Sequence, residues 1–287
     1  MSILIKKRID DLYLLPGLNI PITKQLFKLY INDNLDEILV GNPCVLDNLN
    51  ILINPFIEIS PDFKKAISYV FNYDWFIDKC VNRYDAYKLA NALEINTCTY
   101  CNRNYTNTII TKSKKKITRP QFDHFFDKDK NPLLALSFYN LIPSCTICNT
   151  NIKHGKTFEL SSHIHPYLNN VINDFRFTYR FSSESKSGLR IIIISPSGSK
   201  IEKTFNDMSL ETVYNAHTYE LKDLLDIRYK FSDRYLTILS SNIFTSIRVS
   251  HEELYRLAFG TEYLEENFDR RPFSKFKKDI LTELNII

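Results

Sequence analysis

Four of the six cysteines fall into two identical spacings, Cys98-Thr-Tyr-Cys101 and Cys145-Thr-Ile-Cys148. A Cys-x-x-Cys turn brings two sulfurs to one point, and two such turns supply the four thiolates of a closed tetrahedral zinc site. A site filled entirely by protein ligands leaves no position for water or substrate, so the spacing predicts a structural zinc rather than a catalytic one. Cys101 and Cys145 stand 44 positions apart, wider than a simple zinc ribbon, which predicts a folded segment between the pairs. Cys44 and Cys80 are isolated and are expected to be small core residues.

The intervening segment holds the second chemistry. The run Pro120-Gln-Phe-Asp-His-Phe-Phe126 sets an Asp-His pair in an apolar, strand-like stretch. Neighbours on a strand point to opposite faces, so Asp123 and His124 serve one small site only where the strand is distorted or ending. Asn140 follows in Phe138-Tyr-Asn-Leu-Ile-Pro143. After the second cysteine pair, Asn149 and Lys153 lie one turn apart on one face if Cys148-Asn-Thr-Asn-Ile-Lys153 opens a helix. Alone, Asp123-His124 reads as a surface pair; framed by two knuckles and Asn149, it reads as catalytic.

The order Cys-x-x-Cys, Asp-His, Asn-Leu, Cys-x-x-Cys-Asn and a downstream Lys resembles HNH endonucleases with a zinc-stapled ββα-metal core, over residues 95–158. The flanking wording, Cys-x-Tyr-Cys-Asn and Phe-x-Asn-Leu-Ile-Pro-Ser-Cys, resembles nuclease subunits of bacterial anti-phage systems such as the Septu type, which work beside an ATPase. The resemblance implies that His124 is the general base that takes a proton from the attacking water. It implies that Asp123 and Asn149 hold one Mg²⁺ or Mn²⁺, as hard oxygen ligands favour. Asn140 would brace the loop and orient His124, and Lys153 would contact a phosphate. Many relatives carry that lysine three residues after the metal ligand, where this chain has Ile152; Lys156 and, as a last ligand, His154 therefore remain alternatives.

A polyanion substrate agrees with the charge distribution. Between Cys98 and Leu160 there are ten Lys or Arg against four acids, a local +6 inside a chain of net +4. Lys114, Lys115, Lys116 and Arg119 form a basic cluster that is either a solvated hairpin tip or a phosphate contact. Arg103 touches the nucleic-acid backbone or packs the knuckle, as does Tyr105. His163 and His165 have metal-capable spacing but no acidic or cysteine partner nearby in sequence, so a structural role is expected. His217 and His251, on expected helices, carry no assigned role.

These residues need a scaffold, and the rest of the chain predicts one of α+β class: an HNH ββα-metal core with a four-cysteine zinc site, helical N- and C-terminal regions and a small antiparallel sheet. Residues 1–90 read as helical, with dense apolar spacing over 62–77 and with Pro43, Pro55 and Pro61 breaking the region into short pieces. Residues 91–160 form the nuclease core. Residues 161–205 form a small β region, in which 175–181 and 189–194 are strands of a possible hairpin. Residues 206–287 are helical, with a long amphipathic helix through Leu210, Tyr214, Leu221 and Leu225, and another over 274–284.

The opening Met1–Arg8 lacks the apolar stretch of a signal peptide, and no run approaches the roughly 20 apolar residues of a membrane span. A cytoplasmic protein is expected, where paired cysteines more often mean metal than disulfide. The expected reaction is phosphodiester hydrolysis, with DNA the favoured substrate and an ATPase a possible partner. Two alternatives stand beside it: a non-catalytic zinc module that binds nucleic acid or a partner protein, and an HNH nuclease directed at RNA such as tRNA.

Overall fold

Of the three prolines expected to break the N-terminal region, two do so by starting new helices. The computed structural model describes residues 1–18, 24–78, 84–243 and 249–287, and Cys80, expected in the core, lies outside them. Asn42 and Ser60 cap α3 (Pro43–Ile59) and α4 (Pro61–Val70), each with a proline in the first turn, where its missing N–H costs nothing. Pro55 lies inside α3 without ending it, contrary to expectation. An internal proline costs about 3 kcal/mol, and burial of Leu46, Leu49, Ile53 and Ile57 on the inner face outweighs it.

The chain divides into two units. The first comprises residues 1–94, 108–143 and 155–161. Its helices are α1 (Ser2–Leu12), α2 (Lys24–Val40), α3, α4, α5 (Tyr73–Asp78) and α6 (Ala86–Leu93). α1 packs on α2 and α4, and α3 on α2 and α4. The side chains between them include Ile9, Phe27, Ile31, Leu46, Phe63 and Ile67, all fully or nearly fully buried. The apolar run over 62–77 is two helices, because the Asn72 side chain accepts from Trp75 N–H (2.6 Å) and restarts the helix there.

Short strands follow. β1 (Ile109–Ile110) and β2 (Lys116–Thr118) form a small exposed hairpin. β3 (Gln121–His124) pairs with β4 (Leu141–Ser144) in a separate two-stranded sheet, and both are largely buried. Cys44, expected in the core, is exposed on the first turn of α3. The α3 residues turned inward lie at 46, 49, 53 and 57, so position 44 falls on the outer side of the stripe.

The second unit comprises residues 95–107, 144–154 and 162–287. β5 (Arg176–Phe181) and β6 (Leu189–Ile194) form the expected antiparallel hairpin, with Thr178 opposite Ile192. It is followed by α7 (Lys200–Asp207), α8 (Leu210–Asn215), α9 (Thr218–Phe231), α10 (Tyr235–Ile238), α11 (His251–Phe259) and α12 (Ser274–Glu283). α12 packs on β5, and α8 and α9 on β6, around the rings of Phe177, Tyr214 and Phe276, with centroids 4.4 to 5.6 Å apart.

The long helix expected through Leu210 and Leu225 is two helices. Asn215 spends its side chain on the hairpin: Oδ1 accepts from Ile191 N–H (2.9 Å) and Nδ2 donates to the Ile191 carbonyl (2.8 Å). The chain then turns at 216–217 before α9 begins. The protein is thus of mixed α+β class with small antiparallel sheets, and among the described residues no helix is long and apolar enough to cross a membrane.

Candidate functional site

The two cysteine pairs meet in the second unit. Cys98, Cys101, Cys145 and Cys148 are all buried, and their sulfurs lie within 4.8 Å of one another. Tetrahedral zinc with Zn–S bonds of about 2.3 Å separates its sulfurs by about 3.8 Å; Cys101 and Cys145 Sγ are 4.0 Å apart. The four residues could therefore hold a metal ion such as zinc.

Each pair is shaped by its own backbone. In the first, Cys98 N–H donates to the Asn104 carbonyl (3.0 Å) and Asn102 N–H to the Cys98 carbonyl (2.8 Å). Asn102 takes a left-handed φ of 45°, which asparagine tolerates better than most side chains. Its amide donates to Thr97 Oγ1 and the Phe268 carbonyl, and accepts from Ser274 N–H. The buried Tyr214 hydroxyl donates to the Cys101 carbonyl (2.8 Å). In the second pair, Ile147–Ile152 form a π-type turn closed by Lys153 N–H on the Cys148 carbonyl (2.9 Å).

Electrostatics in the cluster favour a cation. S–H donors from Cys101, then Cys148 and Cys98, pull the Cys145 thiol far below its usual range, and Asn104 Nδ2 adds a hydrogen bond at 3.3 Å. Cys101, then Cys145 and Cys98, push the Cys148 thiol far up. Buried sulfurs at this spacing cannot all ionise against one another without a positive charge between them.

Asp123, His124 and Asn140 belong to the first unit. β3 ends at His124, which meets the condition that the strand must be ending for both residues to serve one site. Asp123 and His124 are 5% and 8% exposed, so neither is a surface group. His124 Nε2 lies 3.0 Å from the Ala135 carbonyl. A carbonyl only accepts, so Nε2 carries the hydrogen and Nδ1 is the nitrogen able to take a proton. The Tyr73 ring packs edge-on against the imidazole, centroids 4.5 Å apart, and its hydroxyl donates to the Phe122 carbonyl. Burial raises the Tyr73 hydroxyl to a pKa of about 12.

Asn140 closes the loop after β3. Oδ1 accepts from Phe126 N–H (2.7 Å), and Nδ2 donates to the Phe126 and Leu134 carbonyls, each at 3.0 Å. Leu134 adjoins Ala135, the partner of His124, so the side chain holds the loop that holds the imidazole.

Asn149 and Lys153 belong to the second unit, on and just after the π-type turn, with Asn149 half-buried and Lys153 buried. Among the cations expected at nucleic acid, Lys114 and Lys115 are exposed at the β1–β2 turn and Lys156 is half-buried. Lys116 is ion-paired with Asp85 and lies over the Tyr87 ring, while Arg119 stacks between Tyr87 and Phe122. Arg103 is 9% exposed, with Nη1 2.7 Å from His217 Nε2. It packs the knuckle, and His217 gains a partner the sequence did not assign.

Two further pairings escaped the sequence. His163 Nε2 bonds Asp207 (2.9 Å), the acidic partner that proximity in sequence had not supplied. Tyr73 reaches His124 from a distant helix, with no signal beyond an apolar helical spacing. No family model, curated protein or solved structure matches this chain.

Proposed function

We propose that the chain is a metal-dependent HNH-type endonuclease that hydrolyses phosphodiester bonds, with DNA the substrate and anti-phage defence the setting. The observation that supports this most is the imidazole of His124: buried beside Asp123 at a strand end, with its tautomer set by Ala135. In this reading His124 Nδ1 takes the proton of the attacking water, and Nε2 keeps its bond to the Ala135 carbonyl in both protonation states. Asp123 and Asn149 are the oxygen ligands of one Mg²⁺ or Mn²⁺, which when bound supplies charge stabilisation to the phosphate and the leaving 3′ oxygen. Asn140 positions the loop, and Lys153 and Lys156 are the cations assigned to phosphate. The cysteine cluster fixes the fold and takes no part in the chemistry.

The test incubates the chain, alone and with the product of a neighbouring gene, with plasmid, linear DNA and tRNA in Mg²⁺, Mn²⁺ or EDTA. Metal-dependent cleavage is expected, and His124→Ala should reduce it by about 10²–10⁴-fold while leaving bound zinc unchanged. Cleavage of tRNA alone moves the assignment to RNA. Binding of nucleic acid without turnover, unaltered by His124→Ala, replaces the enzyme with a zinc-stabilised binding module.

A further inference from the structure

A polar cavity of about 630 Å³ lies wholly within the first unit, lined by α3, the turn at Asn131 and the segment 157–161. Neither the cysteines nor Asp123 and His124 line it. From α3 it receives Asp47, Asn50 and Asn54, at spacings of three and four residues that put three oxygen-bearing side chains on one helix face. From the segment 157–161 it receives Glu159, whose carboxylate accepts from Ser161 Oγ (3.2 Å).

Two of these oxygens lack the partner that burial demands. Asn50 is 4% exposed, yet its Oδ1 accepts no hydrogen bond. Asn54 Oδ1 is equally buried and unpaired. The orientation of Asn54 is settled by its neighbours. Asn131 Nδ2 donates to the Asp127 carbonyl (3.0 Å), so Asn131 presents Oδ1, to which Asn54 Nδ2 donates (3.0 Å). The Asn54 oxygen is therefore the atom left facing no donor. Native proteins rarely leave buried acceptors unpaired, and those that remain often mark an ion or water.

The charges around them point the same way. Three carboxylates line the cavity, those of Asp47, Glu58 and Glu159, together with Lys64. Lys130, which also lines the cavity, is engaged with Thr157 Oγ1 (2.7 Å).

We propose that this cavity is a site for a hard divalent cation of the Ca²⁺ class, held by Asp47, Asn50, Asn54 and Glu159. Two carboxylates balance its charge, and two amide oxygens supply neutral ligands. Ca²⁺ takes six to eight oxygens, so water completes the shell. An organic ammonium offers only three donors to four oxygen-bearing side chains. No sulfur or imidazole lines the cavity, which disfavours zinc and copper. The site is separate from the nuclease reading and stands without it.

The experiment is a calorimetric titration of CaCl₂ into the full chain carrying Asp123→Ala, which removes the ligand assigned to the catalytic ion. MgCl₂ and spermidine are titrated in parallel. One Ca²⁺ per chain is expected, together with a Ca²⁺-dependent rise in Tm. Asp47→Asn, a half-exposed and shape-conserving change, should weaken binding by about tenfold or more and abolish that rise. Asn50→Leu should do the same while raising Tm in the absence of Ca²⁺, because it removes the orphaned oxygen. If Asn50→Leu does not fold, Asp47→Asn decides. Absence of Ca²⁺ binding, an affinity unchanged by Asp47→Asn, or binding of spermidine in place of Ca²⁺ overturns the assignment.

Discussion

The cysteine cluster and the turn around His124 are both buried polar sites, and they are held together by opposite means. The cluster gathers four like groups that repel once ionised, and hydrogen bonds between thiols satisfy only part of its demand. The His124 turn is closed by the protein's own bonds: His124 to Ala135, and Asn140 to Phe126 and Leu134. The first arrangement could hold a metal ion such as zinc at its centre; the second is closed by hydrogen bonds of the protein alone. The two regions are therefore separable by mutation.

The sharpest break in that comparison is Cys148→Ser. Metal binding in structural zinc sites supplies on the order of 10 kcal/mol, comparable with the whole stability of a domain at about 5–15 kcal/mol. The variant should lose bound zinc, measured by metal analysis, and should lose cooperative thermal unfolding of the second unit, followed by hydrogen exchange. Treatment of the wild-type chain with a strong zinc chelator should do the same. A variant that keeps its Tm without zinc would show that the thiols pack adequately alone, and the distinction between the two regions would fall.

The paired cysteines were legible because their chemistry is local: four residues define each turn, and no distant contact is needed to recognise it. The β5–β6 hairpin was legible for the same reason, since alternation and a Ser/Gly turn are short-range signals. The division between α8 and α9 was not, because apolar periodicity continues through Leu210 and Leu221. Only the bonds of Asn215 to Ile191, 24 positions away, explain the break. Arg103 was left open between phosphate and knuckle, because its partner His217 lies 114 positions away. Asp207 and Tyr73 were invisible in the same sense. A residue type signals chemistry only when its partner is known, and partners across the fold have no signature in a single sequence.

Asn140→Ala tests the second region at intermediate cost. It strips partners from the buried Phe126 N–H and from the Phe126 and Leu134 carbonyls. Each buried group left unsatisfied costs about 1–3 kcal/mol, so a total of about 3 kcal/mol or more is expected in urea denaturation. Zinc content should not change. Nuclease activity, if the assignment of His124 holds, should fall by more than stability explains, with the pH profile altered, because Ala135 no longer sits where the imidazole needs it. A stability loss with activity and pH profile intact would reduce Asn140 to a packing residue.

Tyr73→Phe gives the smallest effect and the most selective one. The ring against His124 is kept, and the single bond to the Phe122 carbonyl (3.2 Å) is lost, worth about 1 kcal/mol at neutral pH. The informative range is alkaline. Burial raises the Tyr73 hydroxyl from an ordinary value of 10.0 to about 12 in the folded chain. A group with a raised folded pKa contributes stability that is fully present below the unfolded value and is lost as pH rises through the folded one. Wild type should therefore lose stability between pH 10 and 12. The loss from this group should be about 2–3 kcal/mol, because a tenfold change in proton affinity is worth about 1.4 kcal/mol. Tyr73→Phe cannot ionise, so its stability should decline less over that interval. Subtracting the two curves removes the alkaline titrations they share, including that of Tyr255, which burial also raises. Parallel curves would mean that the Tyr73 hydroxyl is reached by solvent, and that the wall beside His124 is open rather than sealed.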